Sequence, residues 1–108
     1  MNKEILNFVG LMNRAGALLA GTESVINGVR QQKVKFVLID SQVSENTLKK
    51  VTDKCRYYHV PYIKLDEGLD LGLAIGKNNR KVVGIRNEEF VKALQKKLKE
   101  KNCFLQEN

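Results

Sequence analysis

The sequence predicts an α/β sandwich. Two observations carry that expectation. Apolar stripes at helical spacing alternate along the chain with short apolar runs of strand type. One of those runs, Val34 to Ile39, is almost continuously apolar, as a strand buried on both faces of a parallel or mixed sheet requires. The chain has 108 residues and shows no repeat, linker or low-complexity stretch, so a single domain over residues 1–108 is expected.

The elements follow in order. Ile5, Phe8, Val9 and Met12 form one apolar stripe, which predicts a first helix over Lys3 to Arg14. Gly16 ends it, and Ala17 to Ala20 reads as a short strand. Gly21-Thr22 opens a second helix with Thr22 as its N-cap and with Val25, Ile26 and Val29 on the buried face. Val34 to Ile39 is the second strand, and Asp40-Ser41-Gln42 the loop after it. Ser44 caps a third helix whose core side carries Leu48, Val51, Thr52 and Cys55. Val60 to Leu65 is a third strand, entered through Pro61. Leu69, Leu71, Leu73 and Ala74 suggest a short helix among glycines. Lys77 to Arg80 is a polar turn, and Val82 to Ile85 the fourth strand. Asn87 caps the last helix, where Glu88 and Glu89 suit the positive N-terminal end. Phe90, Val91, Leu94 and Leu98 share its inner face, opposite Lys92, Lys96 and Lys99. The tail from Asn102 is expected to fray.

Composition excludes several classes. A hydrophobic fraction of 43% is enough for a core and argues against disorder. No apolar run approaches the ~18 residues of a membrane span. The first residues lack a signal-peptide pattern, so a cytoplasmic protein is expected. Cys55 and Cys103 are the only cysteines and match no zinc spacing or disulfide framework, so both are expected to be reduced. Lys and Arg number 19 against 12 Asp and Glu, a net charge of +7. That excess attracts polyanions, nucleic acid foremost, or else serves solubility alone.

Catalytic patterns are sparse. His59 is the only histidine, which leaves no zinc set and only a Cys55–His59 pair as a nucleophile candidate. Asp66, Glu67 and Asp70 read as a solvated acidic loop. Gly72 to Lys77 looks like a phosphate loop but has three residues between its glycines instead of four, and Asn78 in place of Ser or Thr. No cofactor, metal site or small-molecule substrate is expected.

Two segments carry more. Gly21-Thr22-Glu23-Ser24 is a glycine turn feeding a helix N-terminus, where free N–H groups and the helix dipole favour a phosphate. Gly76-Lys77-Asn78-Asn79-Arg80 is a compact loop with two cations that can hold phosphates and two amides that can read base edges. Each has an ordinary alternative, as a plain turn.

In order, Arg14-Ala15-Gly16, Gly21-Thr22, Lys35 to Asp40, Val60-Pro61-Tyr62 and Leu71 to Lys77 resemble the kink-turn RNA-binding ribosomal protein family of the L-seven-Ae and L-thirty-e type. The likeness runs from about Leu6 to Arg86, and Val-Pro-Tyr followed by Leu-Gly-x-Ala-x-Gly is its most specific part. Gly76-Lys-x-x-Arg80 is most similar to the L-thirty-e branch and its short bacterial paralogues.

The resemblance implies a three-layer α/β/α sandwich with a mixed four-stranded sheet and one RNA-binding edge. In the family the N-terminus of the second helix enters the major groove of a kinked internal loop, a groove too narrow for side chains in regular A-form RNA. Carried over, it makes Arg14, Gly21, Thr22, Glu23, Ser24, Asn27, Gln42, Ile75, Gly76, Lys77, Asn78, Asn79 and Arg80 the RNA-binding set. Glu23, Ser24, Asn27, Gln42 and Gly68 differ from the residues common in strong kink-turn binders, and the Lys77-Asn78-Asn79 cap is polar where apolar or aromatic residues are usual. The expected protein is a non-catalytic, monomeric binder of structured RNA, ribosomal RNA among the candidates, in the bacterial cytoplasm. The alternative is a protein-interaction module on the same fold.

Overall fold

The computed structural model describes residues 3–77 and 79–101. The expectations for Asn78, for Cys103 and for the tail from Asn102 lie outside the described residues. In chain order the elements are α1 (Lys3–Arg14), β1 (Leu18–Ala20), α2 (Thr22–Arg30), β2 (Phe36–Ile39), α3 (Glu45–Tyr57), β3 (Tyr62–Lys64), α4 (Leu71–Ile75), β4 (Val82–Ile85) and α5 (Glu88–Lys101). The sheet order is β1-β4-β2-β3. β4 runs antiparallel to both neighbours, and β2 is parallel to β3. This is the expected mixed four-stranded sheet.

Alternation along each strand divides the core into two layers. Phe36, Leu38, Val83 and Ile85 pack with Ile5, Val9 and Met12 of α1, Leu71 of α4, and Leu94 and Leu98 of α5. Val37, Ile39 and Val82 pack with Val25, Ile26 and Val29 of α2, and Val51 and Cys55 of α3. β2 and β4 are buried along their whole length, because each has a strand on both sides and helices on both faces. Each large side chain so buried contributes about 1.5–3 kcal/mol. At the rim of the first layer, Phe8 meets Phe90 edge to face at 5.7 Å, and Lys97 of α5 pairs with Glu4 of α1 at 3.1 Å. Lys92, Lys96 and Lys99 are exposed.

Gly28 and Gly84 let α2 lie close to the sheet. A methyl group on Gly28 would stand 2.6 Å from Val34 Cγ2 and 2.7 Å from Leu19 Cδ1; one on Gly84 would stand 2.9 Å from Val34 Cγ2. Val34 therefore plugs the space over both glycines. It does not open β2: its N–H and that of Lys33 donate to the Gly28 carbonyl, at 3.2 and 2.8 Å, and the ladder begins at Phe36.

Helix ends explain the other shifted boundaries. Gly16, Gln32, His59 and Gly76 all take positive φ, between 60° and 74°. Each closes its helix with the paired backbone bonds of a Schellman motif. After α1, Gly16 N–H donates to Asn13 O and Ala17 N–H to Met12 O, both at 3.0 Å. After α3, His59 N–H donates to Arg56 O at 3.3 Å and Val60 N–H to Cys55 O at 2.8 Å. Ala17 and Val60 thus belong to helix caps, and the strands start at Leu18 and Tyr62. His59 holds a position glycine usually takes and is exposed, while Cys55 is buried, which separates the two residues of the candidate nucleophile pair.

Two expected N-caps, Ser44 and Asn87, form as predicted, and Asp70 caps where no cap was expected. Ser44 Oγ accepts from Thr47 N–H at 3.2 Å and Asn87 Oδ1 from Phe90 N–H at 3.1 Å; Asp70, read as loop acid, caps α4 by accepting from Leu73 N–H at 3.1 Å. Thr22 is a correction. The N-cap of α2 is Gly21, whose carbonyl receives Val25 N–H at 3.0 Å, and Thr22 is the first helical residue.

Candidate nucleic-acid interface

The turn from β1 into α2 meets the loop that feeds β4. Ala20 pairs with Val83, so Gly21 falls beside the residues entering β4, and its N–H donates to Val82 O at 2.9 Å. Gly21 has φ 101° and ψ 147°, a conformation open to glycine alone. Arg80 packs close by: a methyl on Gly21 would stand 3.4 Å from Arg80 Cδ and Nε, at van der Waals contact. The Arg80 stem therefore lies across the start of α2. Among the described residues no side chain caps this helix, so its first-turn N–H groups are open beside a guanidinium.

The loop is held at both ends. Gly76 terminates α4 with φ 74°, Lys77 N–H donates to Gly72 O at 2.9 Å, and Arg80 N–H to Lys77 O at 3.4 Å. Lys77, Asn79 and Arg80 are exposed. Asn78 lies outside the described residues.

Asp40 ties this end of the sheet together. Its carboxylate is buried and accepts Gln42 N–H at 2.8 Å on one oxygen and Leu71 N–H at 2.9 Å on the other. Its own N–H donates to Lys81 O at 2.9 Å. One residue thus joins the end of β2, the start of α4 and the approach to β4. Gln42 is exposed and lines a cavity of about 300 Å³ with Asp40, Asp70 and Lys81.

Several members of the expected set stand differently. Ile75 is a correction: its side chain is buried in the α1/α4/α5 layer, and only its carbonyl reaches outward, accepting from Asn13 Nδ2 at 3.4 Å. Arg14 lines a cavity between α1 and α4 with Gly10, Leu73 and Ala74. Glu23 pairs with Lys50 of α3 at 2.7 Å, with both side chains exposed. The hydrogen bond from Lys50, and then its charge, hold the Glu23 carboxyl below the usual glutamate range. Asn27 Oδ1 accepts from Arg30 at 3.0 Å. Ser24 is exposed, and Thr22 is half-buried. Lys50 and Lys81 escaped the sequence pattern: only the packing of α3 on α2 and the Asp40 tie bring them here.

Among the described residues no group of three or more His, Cys, Asp or Glu could hold a metal ion. Burial pushes the Cys55 thiol up to about 12, which leaves it protonated and unreactive near neutrality. No helix among the described residues is long and apolar enough to cross a membrane.

Comparison with known proteins places the fold among relatives. Residues 3–95 match the model of the "Ribosomal protein L7Ae/L30e/S12e/Gadd45 family". A relative named RNA-binding protein YlxQ from Bacillus subtilis is 44% identical over 86 residues, 80% of this chain and 86% of that protein. A relative of the same name from Enterococcus faecium is 42% identical over 90 residues, 83% of this chain and 86% of that one. A solved structure of a Bacillus halodurans protein of unknown function superposes with a TM-score of 0.78 at 36% identity, covering 85% of this chain and 93% of that one. The Giardia lamblia 15.5kD RNA binding protein shares the fold, with a TM-score of 0.75 at 20% identity over 92% of this chain and 88% of that one.

Proposed function

The chain belongs to the ribosomal protein L7Ae/L30e/S12e/Gadd45 family, and from that premise we propose that it is a non-catalytic RNA-binding protein recognising a kink-turn or related internal loop. One observation carries the finer part: the Arg80 stem lies across Gly21, so the open N-terminus of α2 and the Gly76–Arg80 loop form one surface. In this proposal Gly21 and Thr22 set the helix end in the opened groove, and Glu23, Ser24 and Asn27 meet base edges or ribose. Lys77 and Arg80 hold phosphates, and Asn79 meets the protruding nucleotide. Gln42 and Lys81 flank the same edge. The protein acts as a cytoplasmic monomer, with ribosomal RNA among its targets.

The test is a titration of the full chain against a kink-turn RNA and a straight duplex of equal length. Tighter binding to the kink-turn is expected, and equal, weak binding to both would defeat the specific reading. Replacing Lys77 and Arg80 together with Ala should flatten the salt dependence, each lost phosphate contact lowering the log–log slope by about 0.9. Replacing Lys92 and Lys96 should change it less. The opposite ranking would move the site to α5.

One observation favours the protein-interaction alternative: Glu23 and Asn27 already engage Lys50 and Arg30. A stoichiometric protein partner that survives nuclease treatment, together with failure of the RNA titration, would establish that alternative.

A further inference from the structure

Strand β4 carries cations at both ends. Arg80 and Lys81 precede it, and Arg86 follows it. At the Arg86 end three connections converge: α1 into β1, α2 into β2, and β4 into α5. Ala15, Gly16, Lys33, Lys35, Arg86 and Phe90 line an open cavity of about 460 Å³ there. Backbone bonds fix the positions of its cations. Lys35 N–H donates to Ile85 O at 2.7 Å, Arg86 N–H to Ala17 O at 2.8 Å, and Lys33 N–H to Gly28 O at 2.8 Å.

The charge here is poorly compensated. Lys33, Lys35 and Arg86 line the same cavity, so three cations share one concave surface. No acidic side chain lines the cavity, and among the described residues no ion pair involves Lys33, Lys35 or Arg86. The C-terminal ends of α1 and α2 contribute about half a negative charge each, which offsets about one of the three cations. Glu88 and Glu89 begin α5 nearby but point their charge to solvent as exposed side chains. About two of the three positive charges are thus left without a compensating group among the described residues.

We propose that this end of the sheet is a second anion-binding surface, which holds the phosphate backbone of an RNA segment distinct from the one at Gly21 and Arg80. The choice of RNA as the anion rests on the proposed function. The chemistry of the surface supports it over a protein partner. Among the described residues the exposed large apolar side chains, Leu11, Tyr57 and Leu73, all lie off this cavity, and Phe90, which lines it, is half-buried against Phe8, so a partner protein would find charge here and little apolar surface. A phosphodiester chain needs only charge and a concave seat. From Arg80 to Arg86 the extended chain spans about 20 Å. Two arms of a bent RNA can therefore meet opposite ends of one strand.

Amide NMR spectra of the full chain tell the two ends apart. The chain is titrated with straight duplex RNA at low salt, as wild type, as K77A/R80A and as K33Q/K35Q/R86Q. The duplex should shift the amides of Lys33, Lys35 and Arg86 in wild type and in K77A/R80A, and those shifts should vanish in the triple variant. On a kink-turn RNA with long arms the triple variant should lose roughly tenfold in affinity and two to three units of salt slope. Shifts confined to Gly21–Asn27 and Lys77–Arg80, or an unchanged salt slope, would overturn the proposal. So would shifts at the far end with a polyglutamate peptide but none with RNA, which would assign the surface to an acidic protein. If the kink-turn RNA fails at Gly21 while the duplex still shifts Arg86, the proposed function falls and the second surface stands.

Discussion

The two ends of the sheet are built in opposite ways. At the Gly21 end, strained or buried groups hold the chain. Gly21 adopts a conformation only glycine allows, Arg80 lies over it, and the Asp40 carboxylate ties three segments together. Acids sit among the cations there, with Asp70 capping α4 and Asp66 and Glu67 beside it. At the Arg86 end the backbone is closed by helix caps, and the side chains add three cations with no acidic side chain lining their cavity. The first end is organised for shape and the second for charge. Net charge therefore says little about where specificity resides in this protein.

The sharpest way to break that contrast is Asp40→Ala. It leaves the Leu71 and Gln42 N–H groups without their acceptor. A loss of about 3 kcal/mol in urea unfolding is expected, and a loss under about 0.5 kcal/mol would show that the tie does not hold the Gly21 end. Gly21→Ala comes next. The positive φ should cost about 1–3 kcal/mol, and the backbone shift it forces at this turn should weaken RNA binding as well. Unchanged binding would separate Gly21 from the interface.

At the other end the sign reverses. Lys35→Gln removes one of three cations that line a cavity with no acidic side chain and should raise stability by about a few tenths of a kcal/mol, read as a higher urea midpoint at unchanged slope. A drop would mean that Lys35 supports the fold after all.

The smallest effect concerns Glu23. Its carboxyl is held below the ordinary glutamate range by Lys50. A depressed folded value means the pair contributes above the ordinary range and is lost only as pH falls below it. Side-chain NMR titration should place the Glu23 midpoint below that range in wild type and return it to the range in Lys50→Ala. The exposure of both partners makes a change in unfolding free energy too small to detect.

Much of this was legible in the chain itself. The stripe from Ile5 to Met12 and the run from Val82 to Ile85 marked α1 and β4 with their observed limits, because period 3.6 and period 2 are local properties of a sequence. The motif order pointed to the family, and the glycines at 21 and 76 marked the turns of the candidate site. Other assignments went astray where a residue serves a distant partner. Val34 reads as strand by composition, yet it fills the space over Gly28 and Gly84. Ile75 belongs to the loop's motif but faces the core. Thr22 is the better capping residue, but Gly21 alone can take the positive-φ turn beside Arg80.

By itself the sequence determined the alternation of helices and strands, the family motifs and the excess of positive charge. Tertiary structure decided how those pieces combine. It set Arg80 on Gly21, Lys50 on Glu23, and Lys35 beside Arg86 in one cavity. Each of these pairs joins segments far apart in the chain. Hydrophobic period reports which face of an element is buried but not which neighbour it meets, and side-chain charge gains a partner only when the strand order brings one within reach.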